Sequence, residues 1–310
     1  MSTTEETVDA VAPPAKPAVD EGIRRAQVNG LEIAYETFGN EGDPAILLVM
    51  GLGTQMLGWP DEICEQLADA GHYVIRFDNR DIGLSTHLTS KPPTLGQMLL
   101  KQHTPYQLSD MADDAVGLID ALGIDKFHVV GASMGGMISQ TIALAHPKRV
   151  LSMTLIMTST GSRRVGRPTP AIMRRLAKRE VHTSREAQIE AAVDVYRVIG
   201  SPDHFDADMI RELAGRSIDR ADDGEGRERQ LAAILAQPNR TAALRGLRIP
   251  TLVVHGLHDP LVSPSGGLAL AKSIPGATFI GHSGMGHDLP RTLWPELAAD
   301  ILALVRRATA

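Results

Sequence analysis

The 310-residue sequence contains a single cysteine, Cys64, so it can form no internal disulfide and offers no thiolate cluster to a metal. Cys64 stands beside Ile63 and near Leu67 in a helical pattern, where a small buried hydrophobe is expected rather than a reactive thiol. Aromatic residues make up only 4% of the chain, which leaves leucine, alanine, valine and methionine to fill the core. No apolar run is long enough to span a bilayer, so no transmembrane segment is expected, while peripheral membrane contact through an apolar surface stays open. The N-terminus is acidic and polar and lacks the basic and apolar regions of a secretory signal, so a cytoplasmic protein is expected. There is no excess of basic charge either. The formal net charge is −6, which argues against a nucleic-acid partner. No P-loop, dinucleotide fingerprint or H-E-x-x-H motif occurs, and no cofactor or metal is expected.

What is present is an ordinary globular balance, 43% hydrophobic and 22% charged, in a chain long enough for a large core. Residues 1–22 are rich in Thr, Glu, Ala and Pro and read as a disordered tail. An Asn29-Gly30 turn between two extended runs predicts an antiparallel hairpin at a sheet edge. From Ala45 onward strands and helices alternate: Ala45–Met50, Pro60–Ala70, Tyr73–Phe77, Ser109–Leu122 (capped by Ser109 or Asp110 and stopped by Gly123), Phe127–Val130, Met137–His146 and Leu151–Met157. This alternation predicts an α/β fold with a mostly parallel central sheet and helices on both faces. It stops after about Thr160. Helical patterns without strands follow (Pro170–Glu180, Ser184–Ile199, Ala207–Ile218 and Gly226–Gln237), and the alternation resumes with Ile249–Gly256, Ser265–Ile274, Ala277–Gly281 and Trp294–Ala308. The expected division is therefore an α/β core over 23–159 and 247–310, with a helical cap inserted over 160–246. Met173 and Met209 are candidates for the cap's apolar roof. Its basic run (Arg163, Arg164, Arg167, Arg174, Arg175, Lys178 and Arg179) reads as a solvated helix face, with an acidic partner surface as the alternative.

Gly131-Ala132-Ser133-Met134-Gly135 fits G-x-S-x-G between a strand and a helix. Small residues on both sides let the backbone turn sharply and expose the serine, and the helix behind it directs its positive end at the same point. A serine hydroxyl needs an imidazole to take its proton and an acid to orient that imidazole. In this topology the order is serine, acid, histidine, each just past the C-terminal end of a strand. Asp259, which follows the strand ending near His255, is the candidate acid, and His287 in Gly284-Met285-Gly286-His287 is the candidate base; His258 and His282 compete with it. For the oxyanion, the backbone N–H of Met134 and that of Leu52 are assigned, with Gly53 as the alternative to Leu52. Gly51 and Gly53 permit close approach of substrate to the backbone.

At these residues the chain resembles the α/β-hydrolase superfamily from Arg24 to its end. Asp78-Asn79-Arg80-Asp81-Ile82-Gly83-Leu84-Ser85 is similar to the D-x-R-G-x-G-x-S loop of that family, with Asp81 where glycine is usual, and Val49-Met50-Gly51 stands where His-Gly is commoner. With Gly58-Trp59-Pro60-Asp61-Glu62, these variants are most similar to the aclacinomycin methylesterase-type branch and related bacterial carboxylesterases. The resemblance implies a cofactor-free serine hydrolase acting on a small-molecule carboxylic ester or thioester through Ser133, Asp259 and His287. Serine at the elbow argues against the dehalogenases and most epoxide hydrolases of this fold, which use aspartate, and the lipase-type His-Gly-Gly-Gly is missing. Perhydrolysis or carbon–carbon bond hydrolysis on the same triad, and a low-turnover ligand-binding protein of this fold, are the alternatives. The sequence leaves the identity of the ester and the oligomeric state open.

Overall fold

The computed structural model describes residues 22–99, 104–176 and 183–309. The tail expected over 1–22 lies outside these residues apart from Gly22, as do Lys178, Arg179 and the last part of the helix expected over Pro170–Glu180.

The strands are β1 (Arg24–Val28), β2 (Leu31–Phe38), β3 (Ala45–Val49), β4 (Tyr73–Phe77), β5 (Phe127–Ala132), β6 (Val150–Ile156), β7 (Thr251–Gly256) and β8 (Thr278–His282). They form one sheet in the order β1-β2-β4-β3-β5-β6-β7-β8. The β1–β2 and β2–β4 pairings are antiparallel and the others are parallel. Asn29 and Gly30 carry φ of 51° and 79°, the left-handed pair that a two-residue hairpin turn needs at its centre.

The helices are α1 (Asp61–Asp69), α2 (Leu95–Leu99), α3 (Leu108–Ala121), α4 (Met134–Ala145), α5 (Pro170–Leu176), α6 (Arg185–Ile199), α7 (Ala207–Arg220), α8 (Gly224–Ala236), α9 (Thr241–Leu244), α10 (Ser265–Ser273) and α11 (Trp294–Thr309). Alternating side chains of each buried strand serve two cores. Leu47, Val49, Phe127 and Val129 pack with α3, α4 and α10 on one face. Ile46, Leu48, Val130 and Val254 pack with α1 and α11 on the other. The period of two in these strands therefore fills both faces of a fully covered parallel sheet. Cys64 is buried in the second core, as its helical pattern predicts.

Three helix starts differ from expectation, α8 by only two residues, at Gly224 rather than Gly226. Helix α3 is capped by Gln107 rather than Ser109 or Asp110: Asp110 occupies the third helical position and accepts the Gln107 N–H, completing a capping box. Helix α4 begins at Met134, directly behind Ser133, three residues earlier than the apolar pattern suggests. Its first turn, Met134-Gly135-Gly136, packs by close backbone approach, which leaves little trace in side-chain periodicity.

Between β6 and β7 the described residues form helices α5 to α9 and no strand. Helices α6 and α7 pack on each other. Met173 is 55% exposed, and Met209 packs against the second core, so the first faces solvent and the second is packed on the core. No helix among the described residues is long and apolar enough to cross a membrane.

Candidate active site

The turn from β5 into α4 places Ser133 at φ 54° and ψ −116°, a strained conformation for a residue with a side chain. The backbone holds this strain by close packing. A Cβ on Gly131 would collide with Gly135 O and Ser139 Oγ, and one on Gly135 would collide with Val49 O. Ser133 N–H donates to Ile156 O over 2.9 Å, and Thr158 Oγ donates to Ser133 O over 2.7 Å. The side chain, fixed at the C-terminal edge of the sheet, is partly exposed.

Three of the expected side chains meet there. Asp259 follows β7, and its Oδ1 accepts the N–H groups of Leu261 and Val262 at 2.9 and 2.8 Å. Its Oδ2 lies 2.7 Å from His287 Nδ1. The other ring nitrogen, His287 Nε2, lies 2.9 Å from Ser133 Oγ. Ionised Asp259 can only accept, so His287 carries its proton on Nδ1 and presents Nε2 as the acceptor for the serine hydroxyl. Burial opposes ionisation of Asp259, but His287, the nearby His255 ring and the Val262 N–H outweigh it and hold the carboxyl down at about 2.

The competing histidines face other groups. His258 Nδ1 accepts the Gly284 N–H over 3.0 Å, and His282 has its nearest carboxylate, Glu296 of α11, at 4.0 Å. His255 was not anticipated. It is fully buried at the end of β7, donates through Nε2 to Val262 O over 2.7 Å, and approaches Asp259 Oδ2 to 3.5 Å. Its spacing of four residues from Asp259 was the available signal, but a turn rather than a helix brings the pair together.

The loop after β3 lies against the serine. A Cβ on Gly51 would stand 3.2 Å from Ser133 Cβ, so glycine leaves that side open to a ligand. Of the two amides considered for the oxyanion, that of Gly53 donates to Gln230 Oε1 over 2.9 Å, whereas the Leu52 N–H makes no hydrogen bond among the described residues. Met134 is the first residue of α4, where an N–H has no acceptor within the helix.

The stretch between β6 and β7 also reaches the histidine loop. His287 N–H donates to Ile199 O over 2.7 Å, and Gly286 N–H donates to Ser201 Oγ over 2.9 Å. The Ser201 hydroxyl donates in turn to Asp288, whose carboxyl is shifted upward by burial. A second set of buried ion pairs joins α7 and α8 to the loop after β4: Arg220 with Asp78 at 3.1 Å, and Arg229 with Asp81 at 2.9 Å. A cleft of about 970 Å³ lies alongside, with Met98, Met137, Ser159, Ile234 and Val262 in its lining and Arg163, Arg164 and Arg167 among its polar residues. Ser133, Leu52 and His287 are not in that lining, but Met137 N–H donates to Ser133 O and Val262 N–H to Asp259, so the cleft adjoins the triad.

The α/β-hydrolase fold model matches residues 44–290. The chain belongs to the α/β-hydrolase fold family. Rhodomycin D methylesterase of Streptomyces sp. (strain C5) is 32% identical over 296 residues, covering 88% of this chain and 95% of the relative. The rhodomycin D methylesterase of Streptomyces peucetius is 31% identical with the same coverage. Among solved structures, a thermophilic esterase from Thermogutta terrifontis superposes with a TM-score of 0.71 at 25% identity, over 93% of this chain and 99% of that one. This α/β hydrolase is thus a hydrolytic enzyme, and its similarity to the methylesterases agrees with the resemblance carried by its Val49–Gly51, Gly58–Glu62 and Asp78–Ser85 segments.

Proposed function

We propose that this α/β hydrolase cleaves a small-molecule carboxylic ester or thioester through an acyl-enzyme on Ser133. The observation that carries this reading is the continuous chain from Ser133 Oγ to His287 Nε2, and from His287 Nδ1 to Asp259, at 2.9 and 2.7 Å. Ser133 Oγ attacks the acyl carbon while its proton passes to His287 Nε2, and Asp259 stabilises the resulting imidazolium. The carbonyl oxygen, becoming an anion, is received by the N–H groups of Leu52 and Met134. Collapse of the tetrahedral intermediate expels the alcohol or thiol, which takes the proton from His287. Water, deprotonated by the same imidazole, then attacks the acyl-enzyme and releases the acid.

In this reading residues 160–246 form the cap. Its hydrogen bonds to the histidine loop and to Gly53 support that role, because they join it to the loops beside Ser133 and His287. The adjoining cleft, mostly apolar with arginines in its lining, is large enough for the body of a sizeable ester. The relatives named methylesterases favour a small alcohol as leaving group.

The test is Ser133→Ala. It is expected to fold normally and to lose nearly all esterase activity, by up to about a million-fold on the scale seen when an activated serine is removed. A fluorophosphonate should label wild type at Ser133 and leave the variant unlabelled. Labelling at another serine, or turnover near that of wild type, would reject the assignment.

A further inference from the structure

Helix α8 touches the loop beside the serine through Gln230, whose side chain is fully buried. The amide spans two core loops. Its Oε1 accepts the Gly53 N–H over 2.9 Å, and its Nε2 donates to Arg80 O over 2.9 Å. The neighbouring residue fastens the helix. Arg229 donates through Nε and Nη2 to the two carboxylate oxygens of Asp81, both at 2.9 Å, in a buried two-pronged pair. Asp81 has a φ of 70°, at the position where glycine is usual in this loop motif. A Cβ on Gly226 would collide with Asp81 O, so α8 meets the loop at backbone distance.

The need for such a fastening lies in the oxyanion loop. Leu52 is flanked by Gly51 and Gly53, neither of which restrains rotation of the adjoining peptide planes. The loop's own hydrogen bonds are long: Thr54 N–H to Gly51 O at 3.4 Å, and Thr54 Oγ to Leu52 O at 3.3 Å. The hydrogen bond from Gly53 N–H to Gln230 is the short one, and it fixes the peptide plane that follows Leu52.

We propose that Gln230 is a positioning residue for ester hydrolysis. By occupying the Gly53 N–H it holds the loop so that the Leu52 N–H is presented to the substrate oxygen, and the Arg229–Asp81 pair sets the depth at which α8 does so. This rests on the ester-hydrolase reading above. The inserted helices thereby complete the electrostatic part of the site as well as covering it.

The experiment compares Gln230→Met and Gln230→Glu with wild type, using a short p-nitrophenyl ester and a fluorophosphonate. Methionine preserves the volume and removes both hydrogen bonds. Its kcat is expected to fall about ten- to a hundredfold, with KM changed by less than about threefold, and the rate of Ser133 labelling should fall with kcat because the phosphoryl oxygen meets the same donors. Glutamate, when protonated, again accepts from Gly53 N–H and donates to Arg80 O; when ionised it loses the donor and faces Arg80 O with negative charge. The ratio of its kcat to that of wild type should therefore rise as pH is lowered from about 9 to about 6, a trend that loss of packing alone would not produce. If Gln230→Met does not fold, this pH ratio decides. A methionine variant with wild-type kcat, a change confined to KM, or a flat ratio for the glutamate variant overturns the positioning role. Wild-type protein that neither hydrolyses the ester nor reacts at Ser133 overturns the ester-hydrolase reading, and this inference with it.

Discussion

Replacing Asp259 by asparagine changes one oxygen for an NH₂ group, and the surrounding donors decide where that group goes. Oδ1 accepts two backbone N–H groups, from Leu261 and Val262, at 2.9 and 2.8 Å. The asparagine carbonyl must take this position, because its NH₂ would face two donors there. The NH₂ then stands where Oδ2 was, 2.7 Å from His287 Nδ1. Two N–H donors cannot face each other, so the imidazole proton moves to Nε2, and Nε2 now points a donor at Ser133 Oγ instead of accepting from it. The base is lost while the geometry stays. The expected fall in kcat is about three to four orders of magnitude, as for the same change in a serine protease triad. Stability shifts as well. A carboxyl held at about 2 rather than 3.8 stabilises the folded state by about 2 kcal/mol wherever it is ionised. Because the folded-state value is the lower one, that contribution is complete above about pH 4 and disappears as pH falls through about 2. Urea unfolding should show the variant less stable than wild type near neutrality, with the difference closing in acid, alongside the kinetic loss. A variant within tenfold of wild type in kcat/KM, or one labelled by fluorophosphonate at the normal rate, would refute the tautomer argument.

His287→Ala should match Ser133→Ala in activity, whereas His258→Ala and His282→Ala should retain most of it; a larger loss from either of the latter in the p-nitrophenyl ester assay would move the base. Asp81→Gly relieves a left-handed aspartate but leaves Arg229 buried without its carboxylate, so a net loss of about 3–5 kcal/mol is expected in chemical denaturation, and an unchanged midpoint would contradict it. Burial pushes the Cys64 thiol up to about 12, so a thiol reagent at neutral pH should modify it only as the protein unfolds; rapid reaction with folded protein would show that the α1 face of the core opens.

Much of this molecule is legible in local pattern. The strands β3, β4 and β5 are short runs, apolar apart from Arg76 and His128, and only a sheet covered on both faces can bury such runs completely. Asn29-Gly30 marks the hairpin because left-handed backbone is cheap for those two residues. The elbow is readable because its glycines stand where any side chain would meet backbone. The order of serine, aspartate and histidine follows the strands that carry them. Local pattern has no access to pairings across the chain. Four histidines lie near the last two strand ends, and only the folded loops show that His287 meets both Asp259 and Ser133 while His258 turns to Gly284 and His255 to Val262. Leu52 is assigned with Gly53 as its alternative, and only the folded chain shows that Gln230, 177 residues beyond Gly53, takes the Gly53 amide. Asp81 is only a departure from a glycine motif until Arg229 arrives from α8. Propensity and periodicity act over a few residues and decide the elements and the elbow, whereas a buried donor or charge must find its partner wherever the chain returns, and the tertiary structure alone decides where that is.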